Sequence, residues 1–395
     1  MSKINNLIKE LCPNGVEFKS LDKISSITTG KLNANAMVED GEYAFFTCDA
    51  KPFRIDKYAF DGEAILISGN GSQVGHLNYY IGKFNAYQRT YVLMSFIDSI
   101  VPKYLYHYLN TYLKGHIDEN SKKGSIPYIT LPMLQGFNVP IPPLEVQNEI
   151  VRILDKFGEL EAELEAELEA RERQYEFWSG KLFESHMNDE TKHITDIALV
   201  KARVGWQRLT TAEYLNTGDY YLITGTDFTP EGKIDFNNCV YVTRERYEMD
   251  ENIQVHQNDI LITKDGTLGK IAYLGNEPDK LTTLNSGVFR IKIIDENVLP
   301  RYIYHYFNSK VFKDFIEKVK TGSTIPHLTQ EKLVSLNIPI PNIEKQKKII
   351  NILDKFSDLT RSLSVGLPAE IELRIKQYEY YRNKLLSFEE LIVSE

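Results

Sequence analysis

The sequence predicts an α/β (α+β) protein that is built twice. Each half is expected to form a twisted β-sheet with helices. Two long antiparallel coiled-coil helices are expected to join the halves with pseudo-two-fold symmetry. Three observations support this prediction: a long internal repeat, an uninterrupted helical stretch of about 40 residues, and short β-rich segments in both halves. A repeat of this period indicates duplicated domains rather than a solenoid, whose units are far shorter.

The repeat aligns residues 126–157 with residues 325–356 without a gap. Ile126-Pro-Tyr-Ile-Thr corresponds to Ile325-Pro-His-Leu-Thr, and both copies end in Leu-Asp-Lys-Phe. Upstream, Val101-Pro-Lys-Tyr corresponds to Leu299-Pro-Arg-Tyr. The boundaries predicted from the repeat are 1–143 for the first domain, 144–184 for the first long helix, 185–204 for a linker, 205–342 for the second domain and 343–395 for the second long helix.

Apolar residues at steps of three and four predict the first long helix between Leu144 and Phe183. At 1.5 Å per residue, such a helix is about 60 Å long, which is typical of half a coiled coil rather than of a small core. In the second copy, Pro368 is expected to interrupt the helix, near the first turn of its continuation. The positions predicted to form the coiled-coil or partner-binding face are Ile150, Leu154, Phe157, Leu160, Leu164, Leu168, Ile349, Leu353, Phe356 and Leu363.

Composition narrows the function classes. The net charge of the chain is -9, and residues 144–190 alone carry 14 acidic and 5 basic side chains, a balance of -9. The globular halves are therefore close to neutral, and the acidic total does not exclude DNA binding. A mean hydropathy of -0.32 without a long apolar run predicts no membrane span. Three scattered cysteines and an amphipathic N-terminus without signal-peptide features indicate a cytoplasmic protein.

Within each half, short β-rich segments alternate with turns. Tyr43-Ala-Phe-Phe-Thr, Ala64-Ile-Leu-Ile-Ser and Thr90-Tyr-Val-Leu-Met are predicted strands, and residues 101–120 a helix. The glycine-rich residues 69–75 follow the second strand, and residues 259–270 repeat this plan in the second half. Trp206-Gln-Arg-Leu is predicted to correspond to Phe18-Lys-Ser-Leu, and the polar residues before it are typical of a linker.

Both long helices begin with Pro-x-x-Glu-x-Gln, from Pro142 to Gln147 and from Pro341 to Gln346. Together with the doubled domain and the ending Leu367-Pro-Ala-Glu-Ile-Glu-Leu-Arg, this pattern resembles the DNA-specificity subunit of type I restriction–modification enzymes, over essentially the whole chain. The linker region matches nothing distinctive in that family.

The resemblance implies two target-recognition domains, each reading one half of a split, asymmetric site in double-stranded DNA. It implies paired helices that set the distance between the half-sites and dock two methyltransferase subunits. Two restriction/translocase subunits are further candidate partners. No cofactor and no metal are expected on this chain, and S-adenosylmethionine is expected on the partner methyltransferase.

Candidate DNA contacts follow from the loops that the two halves share. Each loop follows a buried-type strand and carries side chains able to reach base edges, although each is also explained as a hairpin turn without a ligand. Basic turns before the repeat are expected to contact phosphates, with solvated turns as the alternative. The candidates are Gly69, Asn70, Gly71, Ser72, Gln73, Arg89, Lys122, Lys123, Ser125, Arg244, Arg246, Lys264, Asp265, Thr267, Lys270, Lys320 and Ser323.

No catalytic motif is found. The chain lacks the Asn/Asp-Pro-Pro-Tyr/Phe motif of adenine methyltransferases, and Gly266-Thr-Leu-Gly-Lys is too short for a phosphate-binding loop. The histidines lack metal-ligand spacing, and His107 and His305 are expected to be packing residues. A non-catalytic DNA-recognition subunit is therefore expected. The alternative is a coiled-coil scaffold or protein-interaction module that does not bind DNA. The acidic residues 161–169 are interpreted as a solvated helix face or as an interface for a basic partner surface.

Overall fold

A computed structural model describes residues 2–120, 128–185, 190–204, 209–265, 267–320, 327–362 and 364–391. These residues form two compact units. The first unit comprises the described residues up to Ala162 together with those from Leu373 onward, and the second runs from Glu163 to Glu372.

The described residues contain both helices and strands, and short 3-10 turns occur at Ala34–Ala36, Thr211–Glu213 and Glu251–Ile253. In chain order the helices are α1 (Ser2–Leu11), α2 (Leu21–Ile24), α3 (Pro102–Asn120), α4 (Leu131–Gln135), α5 (Leu144–Glu184), α6 (Ile194–Ile197), α7 (Arg244–Glu248), α8 (Pro300–Asn308), α9 (Lys310–Val319), α10 (Gln330–Val334), α11 (Ile343–Arg361) and α12 (Leu367–Leu386). The strands are β1 (Phe18–Ser20), β2 (Ser26–Thr29), β3 (Tyr43–Phe46), β4 (Phe53–Ile55), β5 (Phe60–Ser68), β6 (Leu77–Ala86), β7 (Thr90–Met94), β8 (Asn138–Pro140), β9 (Thr191–His193), β10 (Ala198–Ala202), β11 (Tyr220–Ile223), β12 (Val240–Tyr241), β13 (Ile260–Thr263), β14 (Ile271–Tyr273), β15 (Leu281–Leu284), β16 (Val288–Ile293) and β17 (Asn337–Pro339).

A six-stranded sheet organises the first unit, in the order β2-β7-β5-β6-β3-β4. Its neighbouring strands are antiparallel, except that β3 runs parallel to β6. The predicted strands β3, β5 and β7 and the predicted helix α3 are confirmed. Ile65 and Leu93 of the sheet and Tyr104 and Leu109 of α3 are fully buried in one core, which places α3 against the sheet.

The second unit repeats this plan with a divided sheet. Its sheets have the orders β10-β16-β13-β14 and β12-β11-β15, and β11 runs parallel to β15 as β3 does to β6. The single long strand β6 therefore has two short counterparts, β14 and β15. The residues between them, 274–280, include Pro278, which has no N–H to donate to a sheet ladder.

The linker predicted at residues 185–204 is wrong for residues 191–202. Strand β9 pairs with β17 as β1 pairs with β8, and β10 pairs with β16 as β2 pairs with β7. Thr191–His193 is thus the counterpart of Phe18–Ser20, rather than the segment at Trp206, which lies outside the described residues. Both strands are short and lie at sheet edges, so only their pairing reveals them. Strand β9 also carries the polar side chains that an edge position tolerates.

The prediction of an uninterrupted first long helix is confirmed by α5. The predicted interruption of the second long helix is also confirmed, because α11 ends at Arg361 and α12 begins at Leu367, one residue before Pro368. Each unit contains a helix pair. In the first, the Phe157 ring lies 5.7 Å from the Tyr381 ring of α12. In the second, the centre of the Tyr175 ring of α5 lies 6.5 Å from the centre of the Phe356 ring of α11. Among the described helices, none is long and apolar enough to cross a membrane.

Candidate nucleic-acid interface

In the first unit, main-chain hydrogen bonds bring four segments together, beyond the ends of β3 and β5 and just before the start of β7. The Gly69 N–H donates to the Arg89 carbonyl at 2.9 Å, and the Ile129 N–H donates to the Gly69 carbonyl at 2.9 Å. The Tyr87 N–H donates to the Phe46 carbonyl at 2.9 Å. We call residues 47–50, 69–76, 87–89 and 128–129 the first loop cluster.

The second unit holds a loop cluster with the same main-chain hydrogen bonds. The Lys264 N–H donates to the Gly287 carbonyl at 2.9 Å, and the Leu328 N–H donates to the Lys264 carbonyl at 3.0 Å. The Asn285 N–H donates to the Ile223 carbonyl at 2.9 Å. The described residues among 224–225, 264–270, 285–287 and 327–328 are the second loop cluster. The predicted correspondence between the two glycine-rich segments is therefore confirmed at the level of the backbone.

A glycine closes the hairpin loop in each cluster. Gly75 has φ +83° and Gly269 has φ +79°, a conformation that other residues rarely adopt. A Cβ atom at either position would lie 3.0 Å from the Cδ1 atom of a buried isoleucine, Ile117 or Ile316. The two loops thus leave and rejoin their sheets by the same turn, although their sequences differ.

The first loop cluster carries several polar side chains. Gly71, Ser72, Gln73 and Arg89 are exposed to solvent. Asn70 is half-buried, and its Oδ1 accepts a hydrogen bond from Cys48 Sγ at 3.1 Å.

The second loop cluster carries charged groups at the corresponding places. The Asp265 carboxylate contacts His327 Nδ1 at 2.6 Å, and both side chains are about half exposed. Lys270 Nζ donates to the Gly225 carbonyl at 3.4 Å, and Lys264 Nζ lies 5.2 Å from the centre of the Phe289 ring. Thr267 is exposed. Residues 69–73 and Arg89 are therefore brought together, as are Lys264, Asp265, Thr267 and Lys270.

Other predicted contacts lie elsewhere. Arg244 and Arg246 belong to α7, where they pair with Glu248 and Glu213. This helix lies near the start of β11, where the Tyr247 ring lies 5.0 Å from the Tyr220 ring, whereas the second loop cluster follows the end of β11. Lys320 pairs with Glu317 at 2.7 Å, just after α9. The predicted contacts Lys122, Lys123, Ser125 and Ser323 lie outside the described residues.

One glutamine in each unit ties the start of its long helix to the globular domain. Gln147 is fully buried; its Oε1 accepts from the Val101 N–H at 2.7 Å, and its Nε2 donates to the Ser99 and Pro142 carbonyls at 2.8 and 2.7 Å. Gln346 makes the same three hydrogen bonds, with Leu299, Asn297 and Pro341. The motif Pro-x-x-Glu-x-Gln therefore has a structural role that the sequence analysis did not assign.

A buried histidine supports each of these junctions. His107 Nε2 contacts Asp155 at 3.0 Å, and His305 Nε2 contacts Asp354 at 2.7 Å. Burial lowers the pKa of both histidines, although the carboxylate beside each acts in the opposite direction. Both are therefore packing residues, as predicted. The sequence analysis missed their aspartate partners, which stand in the repeated Leu-Asp-Lys-Phe segment.

Part of the apolar face of the long helices is buried in the globular cores. Ile150 and Leu154 are buried in the first unit, and Ile349 and Leu353 in the second. Leu160, Leu164 and Leu168 are half-buried, as are Phe157 and Phe356. Leu363 lies outside the described residues. The positions in the middle of α5 therefore retain accessible apolar surface.

Comparisons with known proteins agree with this architecture. A family profile described as "Type I restriction modification DNA specificity domain" matches residues 13–170 and again residues 188–373. The chain belongs to this family. A putative type I restriction enzyme specificity subunit from Haemophilus influenzae is 30% identical over 393 residues, covering 94% of this chain and 96% of that protein. The EcoR124I/EcoR124II specificity subunit from Escherichia coli is 34% identical over 297 residues, covering 72% of this chain and 70% of that protein.

Solved structures of the family share the fold. The type I restriction–modification S subunit from M. genitalium superimposes with a TM-score of 0.56 at 17% identity, over 94% of this chain and 96% of that one. A chain from a structure that describes complex assembly of the type I restriction–modification system gives a TM-score of 0.65 at 12% identity, over 95% and 98% of the two chains. The mixed helix-and-sheet architecture with two domains and long helices is therefore the fold of type I specificity subunits. Within the described residues, no group of three or more His, Cys, Asp or Glu side chains could hold a metal ion.

Proposed function

We propose that this chain is the sequence-specific DNA-binding subunit of a type I restriction–modification complex, and that its two loop clusters read the two halves of a split, asymmetric site. One observation carries the proposal. The same main-chain hydrogen bonds hold both loop clusters, but the side chains that they present differ. A shared backbone arrangement with different side chains suits a protein that binds two different short DNA sequences in the same orientation. Contacts to the DNA backbone position the protein, whereas contacts to the bases determine which sequence it binds.

The partner and catalytic roles belong to the same proposal. The half-buried leucines in the middle of α5 leave apolar surface for two methyltransferase subunits, to which two restriction/translocase subunits can be added. S-adenosylmethionine is then bound by the methyltransferase, and this chain catalyses neither methyl transfer nor cleavage. We further propose that the complex works in the cytoplasm. Methyl transfer from S-adenosylmethionine to DNA by the purified single chain would contradict this part.

The binding role is tested with the full chain and a pool of random duplex DNA. Binding should weaken steeply, by at least about tenfold, between about 50 and 200 mM salt, because phosphate contacts release counterions. Selection from the pool should return one split sequence. A coiled-coil scaffold would show no salt-dependent binding and would select no sequence.

Two glycine variants test whether each cluster reads one half of that sequence. Gly75→Val and Gly269→Val each force a side chain into a left-handed position against a buried isoleucine, and each should abolish preference in one half only. Gly115→Ala in α3, where a new Cβ meets nothing within 4 Å, is the matched control. Exchanging residues 17–139 for those of a relative should likewise change one half. Simultaneous change of both halves in any of these variants would refute the division of labour.

A further inference from the structure

Asn70 and Asp265 occupy the same position in the two loop clusters. Each follows the residue whose main chain makes the two cluster-defining hydrogen bonds, Gly69 in the first unit and Lys264 in the second. Each of the two loops also ends at a glycine with positive φ, Gly75 in the first unit and Gly269 in the second. Asn70 and Asp265 would therefore present side chains of the same shape and size to the two half-sites.

The two side chains differ in charge and in hydrogen-bonding capacity. The asparagine amide offers an oxygen acceptor and an NH2 donor side by side, whereas the ionised aspartate offers only acceptors. Neither is a loosely held surface group. Cys48 donates to Asn70 Oδ1 at 3.1 Å, and His327 contacts Asp265 Oδ1 at 2.6 Å. These contacts fix one oxygen of each side chain and orient the other polar atom, Nδ2 or Oδ2.

The edges of the bases distinguish these capacities. In the major groove, adenine presents its N7 acceptor beside its N6 amino donor, and this pair matches the donor and acceptor of an asparagine. Cytosine presents only its N4 amino donor, which a carboxylate accepts. A carboxylate opposite adenine would face the N7 acceptor, and opposite guanine it would face two acceptors, N7 and O6. Each of the two side chains therefore has one best base.

We propose that Asn70 and Asp265 are equivalent base-discriminating residues, Asn70 selecting adenine in one half-site and Asp265 selecting cytosine in the other. This inference rests on the proposed DNA-binding function and specifies what the shared position reads. Cys48 and His327 act as positioning residues behind them.

Reciprocal exchange of the two functional groups tests the inference. The full chain is prepared as wild type, Asn70→Asp and Asp265→Asn, and each form selects duplexes from the same random pool. Asp265→Asn should change one base pair of one half from C·G to A·T, and Asn70→Asp should change one base pair of the other half from A·T to C·G. The preference at the affected pair should reverse by about 5-fold to about 150-fold, the discrimination that a good side-chain–base contact gives.

The variants change no side-chain volume, and the cysteine and histidine contacts still have an oxygen to meet, so thermal unfolding should match the wild type. Asn148→Asp makes the same chemical change on the exposed face of α5 and should leave both halves unaltered. If the wild type selects a split sequence but neither exchange alters it, or if a variant changes several positions or both halves, the inference falls while the proposed function stands. If the wild type selects no sequence at all, the proposed function fails, and the inference fails with it.

Discussion

Replacing Gln147 by leucine tests how the first long helix is fixed to its domain. The side chain is fully buried and serves three main-chain groups: the Val101 N–H and the Ser99 and Pro142 carbonyls. Leucine has nearly the same volume but neither donates nor accepts. All three groups would therefore lose this partner. The hydrogen bond to the Pro142 carbonyl is buried, and those with Val101 and Ser99 are partly buried.

The size of the effect follows from those three groups. Leaving a buried donor or acceptor unsatisfied costs about 1 to 3 kcal/mol. Three groups at the lower half of that range cost about 3 to 6 kcal/mol. The added apolar burial of leucine offsets about 1 kcal/mol, which leaves a loss of about 2 to 5 kcal/mol. This loss is a large part of the free energy of unfolding of a typical domain, which is about 5 to 15 kcal/mol.

Hydrogen exchange measured by mass spectrometry can assign the loss to one unit. Gln147→Leu should reduce the opening free energy of amides in α3 and β8 and leave amides of the second unit protected. Gln346→Leu should produce the mirror result, because Gln346 makes the same three hydrogen bonds. Asn148→Leu, one residue further along α5 on its exposed face, is the control and should change stability by less than about 0.5 kcal/mol.

Two results would refute this reasoning. One is a Gln147→Leu variant that is no less stable than Asn148→Leu, which would mean that the three main-chain groups find other partners. The other is an equal loss of protection in both units, which would mean that the units do not open separately.

Three further predictions concern pH, length and chemistry. Because burial lowers the pKa of His107 and His305 below that of an unfolded histidine, about 6.5, the unfolded chain binds more protons, and stability should fall as pH drops below about 6.5 in denaturant titrations. Deleting residues 164–167 from α5 removes about one helical turn, or about 6 Å, so selection experiments should return the same half-sites with a gap narrower by about one or two base pairs. N-ethylmaleimide should modify the half-exposed Cys48 first and weaken selection in the half-site assigned to Asn70.

Each of these has a clear contrary result. Stability that stays flat between pH 7 and 5 would contradict the neutral buried histidines. An unchanged gap in a folded deletion variant would show that the length of α5 does not set it. Cys12 and Cys239 are buried, and burial raises the pKa of both thiols, so they should react slowly. Full inhibition of a Cys48→Ser variant by the reagent would exclude Cys48 as the cause.

The sequence predicted those parts of the fold that local pattern determines. Strands β3, β5 and β7 are short β-rich runs, and α5 has regular apolar spacing, so each could be recognised without its neighbours. Strand β6 was missed because its residues include Gly82 and alternate poorly, and its place in the sheet depends on pairing with β5 and β3. The strands β9 and β10 were missed for a related reason, since only their partners reveal them.

Most of the candidate site followed from the repeat rather than from chemistry. Aligning the two glycine-rich segments identified Asn70 and Asp265 as members of loops, but the correspondence between these two positions needed the hydrogen bonds to Gly69 and Lys264. The contact between Asp265 and His327 joins residues far apart in the chain, and no periodicity predicts it. Arg246 of α7 pairs with Glu213, which is 33 residues away in the chain, and no local spacing predicts that ion pair.

The first unit combines residues from both ends of the described chain, and this affects the order in which the two units can fold during synthesis. Leu154 is buried in the same core as Leu385 and Leu386, and the Val16 N–H donates to the Glu389 carbonyl at 2.9 Å. The ribosome adds about 5 to 20 residues per second, so the roughly 230 residues between Leu154 and Leu385 take about 12 to 46 s. During that interval the nascent first unit lacks part of its core, while every residue of the second is made before Leu373. The second unit can therefore finish folding first, and the newborn first unit is the one that a chaperone would find incomplete.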